Sequence, residues 1–162
     1  MGSARVYVFD VDGVLLDVSE RLRVARERAR SRNQFWETFF SPQLLELDKP
    51  RRVGIDLLLD RARKGLIAIV SGRPRKLLSH TIKQLTHLCG IPAEAIWRIE
   101  LRDEGDRRPS HVVKLEKVLG IAYEGFSIEE VHDDDEQYLH ALRRYLPKAR
   151  LYLHRGEAYE VL

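Results

Sequence analysis

The feature that most constrains this chain is the run Val6-Tyr7-Val8-Phe9-Asp10-Val11-Asp12-Gly13-Val14. β-Branched and aromatic residues leading into two carboxylates, one residue apart, and then a glycine predict a buried strand with chemistry at its end. Residues two apart on a strand share a side, so Asp10 and Asp12 start out facing one pocket until Gly13 lets the backbone bend. Two anions that close repel unless a cation or a proton sits between them. A hard divalent ion with oxygen ligands, Mg²⁺, is the simplest resolution.

Further strand signals fall at Ala4–Phe9, Leu66–Val70, Trp97–Leu101, Ile128–His132 and Arg150–Leu153, separated by stretches of helical character. Strands alternating with helices predict an α/β fold of the Rossmann-like class: a mainly parallel sheet of about five strands between two helical layers. In such sheets function collects at the carboxyl ends of the strands. The 162 residues, 44% apolar and 33% charged, suit a single domain over 1–162. No apolar run approaches membrane-spanning length and no signal-peptide pattern opens the chain, so a cytoplasmic protein without a membrane partner is expected. Cys89 stands alone and reads as an inert buried thiol. The net charge of +3 admits either a phosphorylated partner or a salt-bridged surface.

The first crossover is far longer than one helix needs. Ser19–Arg30 looks helical, Ser31-Arg32-Asn33 looks like a break, and a short helix over Gln34–Phe40 follows. A third helix, from about Pro50 to Lys64 with Gly65 at its end, is the crossover proper. Residues 18–49 are then a small helical insertion beyond the Asp10/Asp12 loop. Later helices are expected from Pro74 to about Leu88, from a Ser110 cap to Leu119 before Gly120, and over Glu136–Tyr145.

Three other strand or helix positions carry candidate chemistry. The second strand ends in Ser71-Gly72-Arg73-Pro74, where a hydroxyl, free amides and a helix start can hold an anion, or where Ser71 merely caps the helix. The fourth ends in Glu130-Val131-His132-Asp133-Asp134-Asp135-Glu136. Asp133 and Asp134 are the metal-side candidates, Asp135 and Glu136 suit the start of the next helix, and His132 reads as packed rather than ligating. Lys114, on a short helix, can serve as the buried point charge that such a set needs.

In order, VFDVDGV from Val8, IAIVSG ending at Gly72, Lys114 and VHDD ending at Asp134 resemble the signature of the haloacid dehalogenase superfamily of phosphohydrolases. Ser71–Arg73, the Arg102–Arg108 loop and the paired aspartates look narrower still, similar to the phosphatase domain of polynucleotide kinase-phosphatases and related RNA-repair phosphatases. Those carry an aspartate four residues before the motif lysine, where this chain has Ser110.

The resemblance implies a phosphomonoesterase with Asp10 as nucleophile and Asp12 as general acid and base. It implies Mg²⁺ held by Asp10, the Asp12 backbone carbonyl, Asp133 and Asp134, and phosphoryl contacts from Ser71, Gly72, Lys114 and Arg73. The substrate is a nucleic-acid end or, alternatively, a small metabolite such as a nucleotide or sugar phosphate; no obligatory protein partner is implied. The insertion is too short for a full cap domain, so an open site is expected. Arg21–Arg32 can border a polymer path or be an ordinary exposed helix with Arg23 and Glu27 paired, and Phe35, Trp36, Phe39 and Phe40 can stack on bases or pack together. A receiver-like switch domain would place its lysine at a strand end, a calcium loop would not follow a strand so closely, and a silent binding protein has little reason to keep so many charges.

Overall fold

The computed structural model describes residues 2–162. In chain order its strands are β1 (Arg5–Phe9), β2 (Leu16–Asp17), β3 (Lys49–Pro50), β4 (Leu66–Pro74), β5 (Arg98–Arg102), β6 (Ser127–Asp133), β7 (Arg150–Arg155) and β8 (Ala158–Val161). The helices are α1 (Ser19–Arg28), α2 (Arg32–Phe39), α3 (Arg52–Ala62), α4 (Leu78–Lys83), α5 (Ser110–Tyr123) and α6 (Glu136–Tyr145). Six strands form one sheet in the order β5-β4-β1-β6-β7-β8. All neighbours run parallel except β8, which is antiparallel to β7.

The alternation of β1 builds the layers. Val6 and Val8 face one core with Val118 and Ile121 of α5 and Leu139 and Leu142 of α6. Tyr7 and Phe9 face the other, with Ile55 and Leu58 of α3 and Leu85 beyond α4. A strand covered on both sides needs apolar residues at every position, which is what Val6–Phe9 supplies. Each fully buried aliphatic side chain there contributes about 1.5–3 kcal/mol. The expected three-layer α/β fold is therefore the observed one.

The insertion is bracketed by the β2–β3 pair, with Leu16 opposite Pro50 and Asp17 opposite Lys49. Between them α1 and α2 pack through Ala25, Phe39 and Leu44 in a small cluster of their own. Ser31 caps α2, accepting from the Gln34 amide at 3.1 Å. No helix among the described residues is long and apolar enough to cross a membrane.

Several boundaries differ from expectation. β4 runs on to Pro74, with a register shift after Val70, so Pro74 ends a strand and the helix begins only at Leu78 after a 3₁₀ turn. Residues 84–88 then widen into a π-type turn. Ser110 opens α5 but makes no capping bond, and the helix passes Gly120 to Tyr123 because Val118 and Ile121 are buried on its inner face. β8 was not expected: its four residues are all exposed, which leaves no apolar alternation to read.

Gly54 shows how tightly the first loop is held. A β-carbon there would collide with the backbone carbonyl of Val14, which cannot swing away. Gly54→Ala should therefore destabilise the fold by about 1–3 kcal/mol, opposite in sign to the ~1 kcal/mol gain usual for Gly to Ala inside a helix. Chemical denaturation of the two proteins measures the sign.

Candidate active site

The sheet register brings the motifs together before any side chain is considered. Phe9 lies beside Ile69 of β4 on one side and His132 of β6 on the other. Asp10, one residue beyond Phe9, is thus level with Asp133, and Ser71 follows two residues after Ile69. The Asp10 amide completes the ladder by donating to the His132 carbonyl at 3.0 Å. The chain then turns on itself, with the Leu15 and Leu16 amides both donating to the Val11 carbonyl. Gly13, at φ 83°, has the left-handed conformation that glycine adopts without strain. A side chain there would also collide with the Asp134 carboxylate.

Asp10, Asp133 and Asp134 each offer a carboxylate oxygen, and these lie within 4.8 Å of one another. Lys114, buried on α5, donates to both oxygens of Asp133 at 3.0 and 2.9 Å and stands 3.5 Å from Asp10. The Tyr138 ring lies 4.7 Å from the same ammonium. One cation does not balance three acids. Burial and the neighbouring Asp133 raise the Asp10 carboxyl well above its ordinary range. Burial pushes Asp133 up to about 7, and desolvation together with the nearby Asp10 pushes Asp134, at the exposed side of the cluster, up to about 6. Burial alone would lower Lys114, but Asp133 and Asp10 outweigh it and keep the ammonium charged. A cluster that resists ionisation in the absence of a further cation fits a hard divalent metal, and its all-oxygen donors suit Mg²⁺.

Asp12 points elsewhere. Its Oδ1 accepts from Arg21 Nη2 at 2.7 Å and from Arg73 Nη2 at 2.7 Å and Nε at 3.2 Å. Both arginines are fully buried. Asp48 bridges behind them, accepting from Arg21 Nε at 2.9 Å, and Gln84 donates to Asp48 at 3.0 Å. Burial would raise the Asp12 carboxyl, yet Arg73 and then Arg21 outweigh it and hold the group below its usual range.

This corrects the expected use of Arg73. Its remaining donors go to Thr81 at 2.9 Å and Gln84 at 2.7 Å, so the guanidinium is consumed by the protein and holds Asp12 instead of reaching a substrate phosphate. Nor does the Asp12 side chain join the carboxylate cluster; only its backbone carbonyl remains as an expected ligand. Ser71, 2% exposed, accepts from the Arg73 amide at 3.2 Å, a bond that tightens its own turn and caps no helix. Gly72 leaves room for Ser110, since a β-carbon there would strike the Ser110 hydroxyl. That close approach seats the first turn of α5 and, one turn on, Lys114.

His132 is packed, as expected. Its ring stacks on Phe9 at 4.1 Å and its Nε2 lies 2.9 Å from Glu130. Its Nδ1 is 3.0 Å from His154 Nε2, and His154 Nδ1 is 2.6 Å from Arg51 Nη1. Arginine can only donate, so His154 accepts at Nδ1 and donates at Nε2, and His132 in turn donates at Nε2 to Glu130. Burial and the flanking His132 and Arg51 lower His154 to about 3, consistent with this neutral, one-way chain. Arg51 also donates to the Val14, Gly156 and Ala158 carbonyls.

The insertion helix divides its arginines. Arg23 is exposed and pairs with Glu20 and Glu27, the surface reading, whereas Arg21 is buried under Phe39 at 4.3 Å. Phe35, Trp36, Phe39 and Phe40 pack on one another, with Trp36 half-exposed. Arg21, Asp48, Gln84 and Arg51 were not singled out from sequence for the roles they hold here. Arg21 lies in a run of arginines at near-identical spacing, and only the burial of its neighbours Ala25 and Phe39 distinguishes it.

No protein-family model matches the sequence, and no curated protein matches it. Among solved structures the chain is similar to one described as the Pnkp1/Rnl/Hen1 complex, at 18% identity and a TM-score of 0.68 over 94% of this chain and 45% of that one. A haloacid dehalogenase-like hydrolase from Streptococcus pneumoniae matches at 12% identity and 0.63, over 92% and 83% of the two chains. CbbY from Rhodobacter sphaeroides, solved with phosphate, matches at 19% and 0.56, over 94% and 87%. The chain spans less than half the length of the repair-complex chains it matches. At these identities the likeness establishes the fold, that of haloacid dehalogenase-like hydrolases.

Because Mg²⁺ and protons compete for the same carboxylates, the metal should stabilise the fold more as pH rises. Asp133 and Asp134 hold protons in the folded state up to about 7 and 6, where the unfolded chain has already released them. The metal-free protein therefore loses their contribution between roughly pH 4 and 7. The rise in Tm caused by Mg²⁺ should accordingly be small at pH 5 and large at pH 8, as thermal melts with Mg²⁺ and with EDTA will measure.

Proposed function

We propose that this chain is a Mg²⁺-dependent phosphomonoesterase that turns over through an aspartyl-phosphate on Asp10. The observation that carries this reading is the convergence of Asp10, Asp133, Asp134 and Lys114 at the carboxyl ends of the central strands. Asp10, Asp133 and Asp134, with the Asp12 backbone carbonyl, would hold the metal. When bound, Mg²⁺ supplies the positive charge that lets a carboxylate approach a phosphate dianion.

Asp10 attacks phosphorus in line, forming a new P–O bond as the ester P–O bond breaks. Asp12 gives the departing alkoxide its proton, then removes one from the water that cleaves the aspartyl-phosphate and frees inorganic phosphate. Lys114, and Ser71 with the amides of its turn, bind the phosphoryl oxygens as charge shifts during transfer. Arg21 and Arg73 position Asp12 and favour its ionised form, the form needed for the water-activating half; the proton it gives the alkoxide in the first half is taken from the bound phosphomonoester monoanion, which is then attacked as the dianion.

Two consequences are measurable. Asp10→Asn should reduce turnover below detection while Tm stays near that of the parent, since the change keeps shape and relieves repulsion. Asp12→Ala should slow alkyl phosphates by about 100-fold or more, yet slow p-nitrophenyl phosphate far less, because that leaving group needs no proton. Steady-state kinetics on the two ester classes tests both assignments.

For the substrate, the motif resemblance and the likeness to a chain of an RNA-repair complex favour a polynucleotide 3′ end. The insertion has only two short helices, which supports the reading of a site without a full cap that would admit a polymer terminus. A 3′-phosphorylated oligonucleotide should be dephosphorylated with higher kcat/KM than nucleotides or sugar phosphates. The reverse ranking would assign the protein to small metabolites.

A further inference from the structure

The two edges of the sheet are finished differently. On one side β7 is covered by β8, whereas on the other β5 pairs with β4 alone among the described residues. Free edges are commonly blunted by charge, and β5 reads Arg98-Ile99-Glu100-Leu101-Arg102, both signs alternating with aliphatics. The Trp97 amide donates inward to Ile67 at 2.9 Å. Strand alternation then turns the amides of Arg98 and Glu100 toward the open edge. Beside that edge run two adjoining grooves of about 260 and 140 Å³ that share Ile99. Their outer wall is formed by Leu78 and Ile82, one helical turn apart and 38% and 41% exposed.

We propose that β5 is a self-complementary docking edge whose occupant is a second copy of this chain, paired antiparallel about a two-fold axis through Ile99. In that register Arg98 of each copy meets Glu100 of the other, and the outward amides of these same residues form the hydrogen-bonded pairs. Centring on Glu100 would set glutamate against glutamate and Arg98 against Arg102; centring on Leu101 also opposes Glu100 to Arg102 but sets Ile99 against Asp103, beyond the end of the strand. Within one chain Arg98 already pairs with Glu124 at 2.6 Å and lies over the Trp97 ring, while its separation from Glu100 is 3.9 Å; Glu100 is thus left with charge to offer, and Arg98 of the other copy would share its guanidinium between Glu124 and Glu100. The axis stands perpendicular to the sheet, so the Leu78/Ile82 stripes of both copies lie on one face and close the grooves between them. Asp10 and Asp133 follow the central strands β1 and β6, away from this edge, so the active site stays open.

Sedimentation velocity of the full chain over a concentration series tests the proposal. The parent should show a monomer–dimer equilibrium. Glu100→Arg and Arg98→Glu should each weaken self-association at least about 100-fold, since each opposes like charges twice. Mixed in equal amounts, the two variants should dimerise again, because every facing pair is then of opposite sign. Ile82→Glu, at an exposed position that the fold does not need, should also weaken association. A parent that sediments as monomer throughout, a dimer indifferent to Glu100→Arg and Ile82→Glu, or a mixture that stays monomeric would overturn it.

Discussion

Mutual repulsion among Asp10, Asp133 and Asp134 is the constraint around which the rest of the molecule is arranged. Leaving one buried charge uncompensated costs several kcal/mol, and here three carboxylate oxygens converge at the ends of two adjacent strands. Lys114 answers part of that cost and is itself held in place by the same acids. The need for a charged partner at this point accounts for a lysine on the inner face of α5, where an aliphatic residue would pack as well. The core on either side of β1 supplies the rigidity: strands that slipped by one residue would turn Asp10 away from Asp133.

A second electrostatic assembly ties the insertion to the Asp10/Asp12 loop. Arg21 comes from α1, Asp48 from the end of the insertion, Arg73 from β4 and Gln84 from beyond α4, and all of them converge behind Asp12. Removing one member of such a buried set typically costs about 3–5 kcal/mol, because its partners are left charged and dry. The insertion is thus more than a lightly placed cover. It completes the environment of Asp12.

Much of this was legible before coordinates. The β1, β6 and β7 signals and α6 fall where the apolar runs and the acidic helix start at Asp135 and Glu136 put them, since local pattern and tertiary packing agree there. The four motif pieces are recognisable because each sits at a strand end or on one helix turn. The role of Arg73 was not legible: a side chain after a glycine at a strand end can face outward or fold back, and only the buried acceptors Asp12, Thr81 and Gln84 decide it. Arg21 was hidden for a similar reason, among arginines that differ in surroundings and not in spacing. β8 escaped notice because an all-exposed strand has no hydrophobic period.

Arg51 carries one more implication. Its guanidinium grips Val14, in the loop after Asp12, with one hand and the turn between β7 and β8 with the other, braced by a neutral histidine pair that ends on Glu130. Chain segments more than a hundred positions apart are therefore tied together through one side chain. The terminal ribbon is thus a buttress for the loop that follows Asp12, and removing it would leave the buried Arg51 guanidinium without two of its carbonyl acceptors.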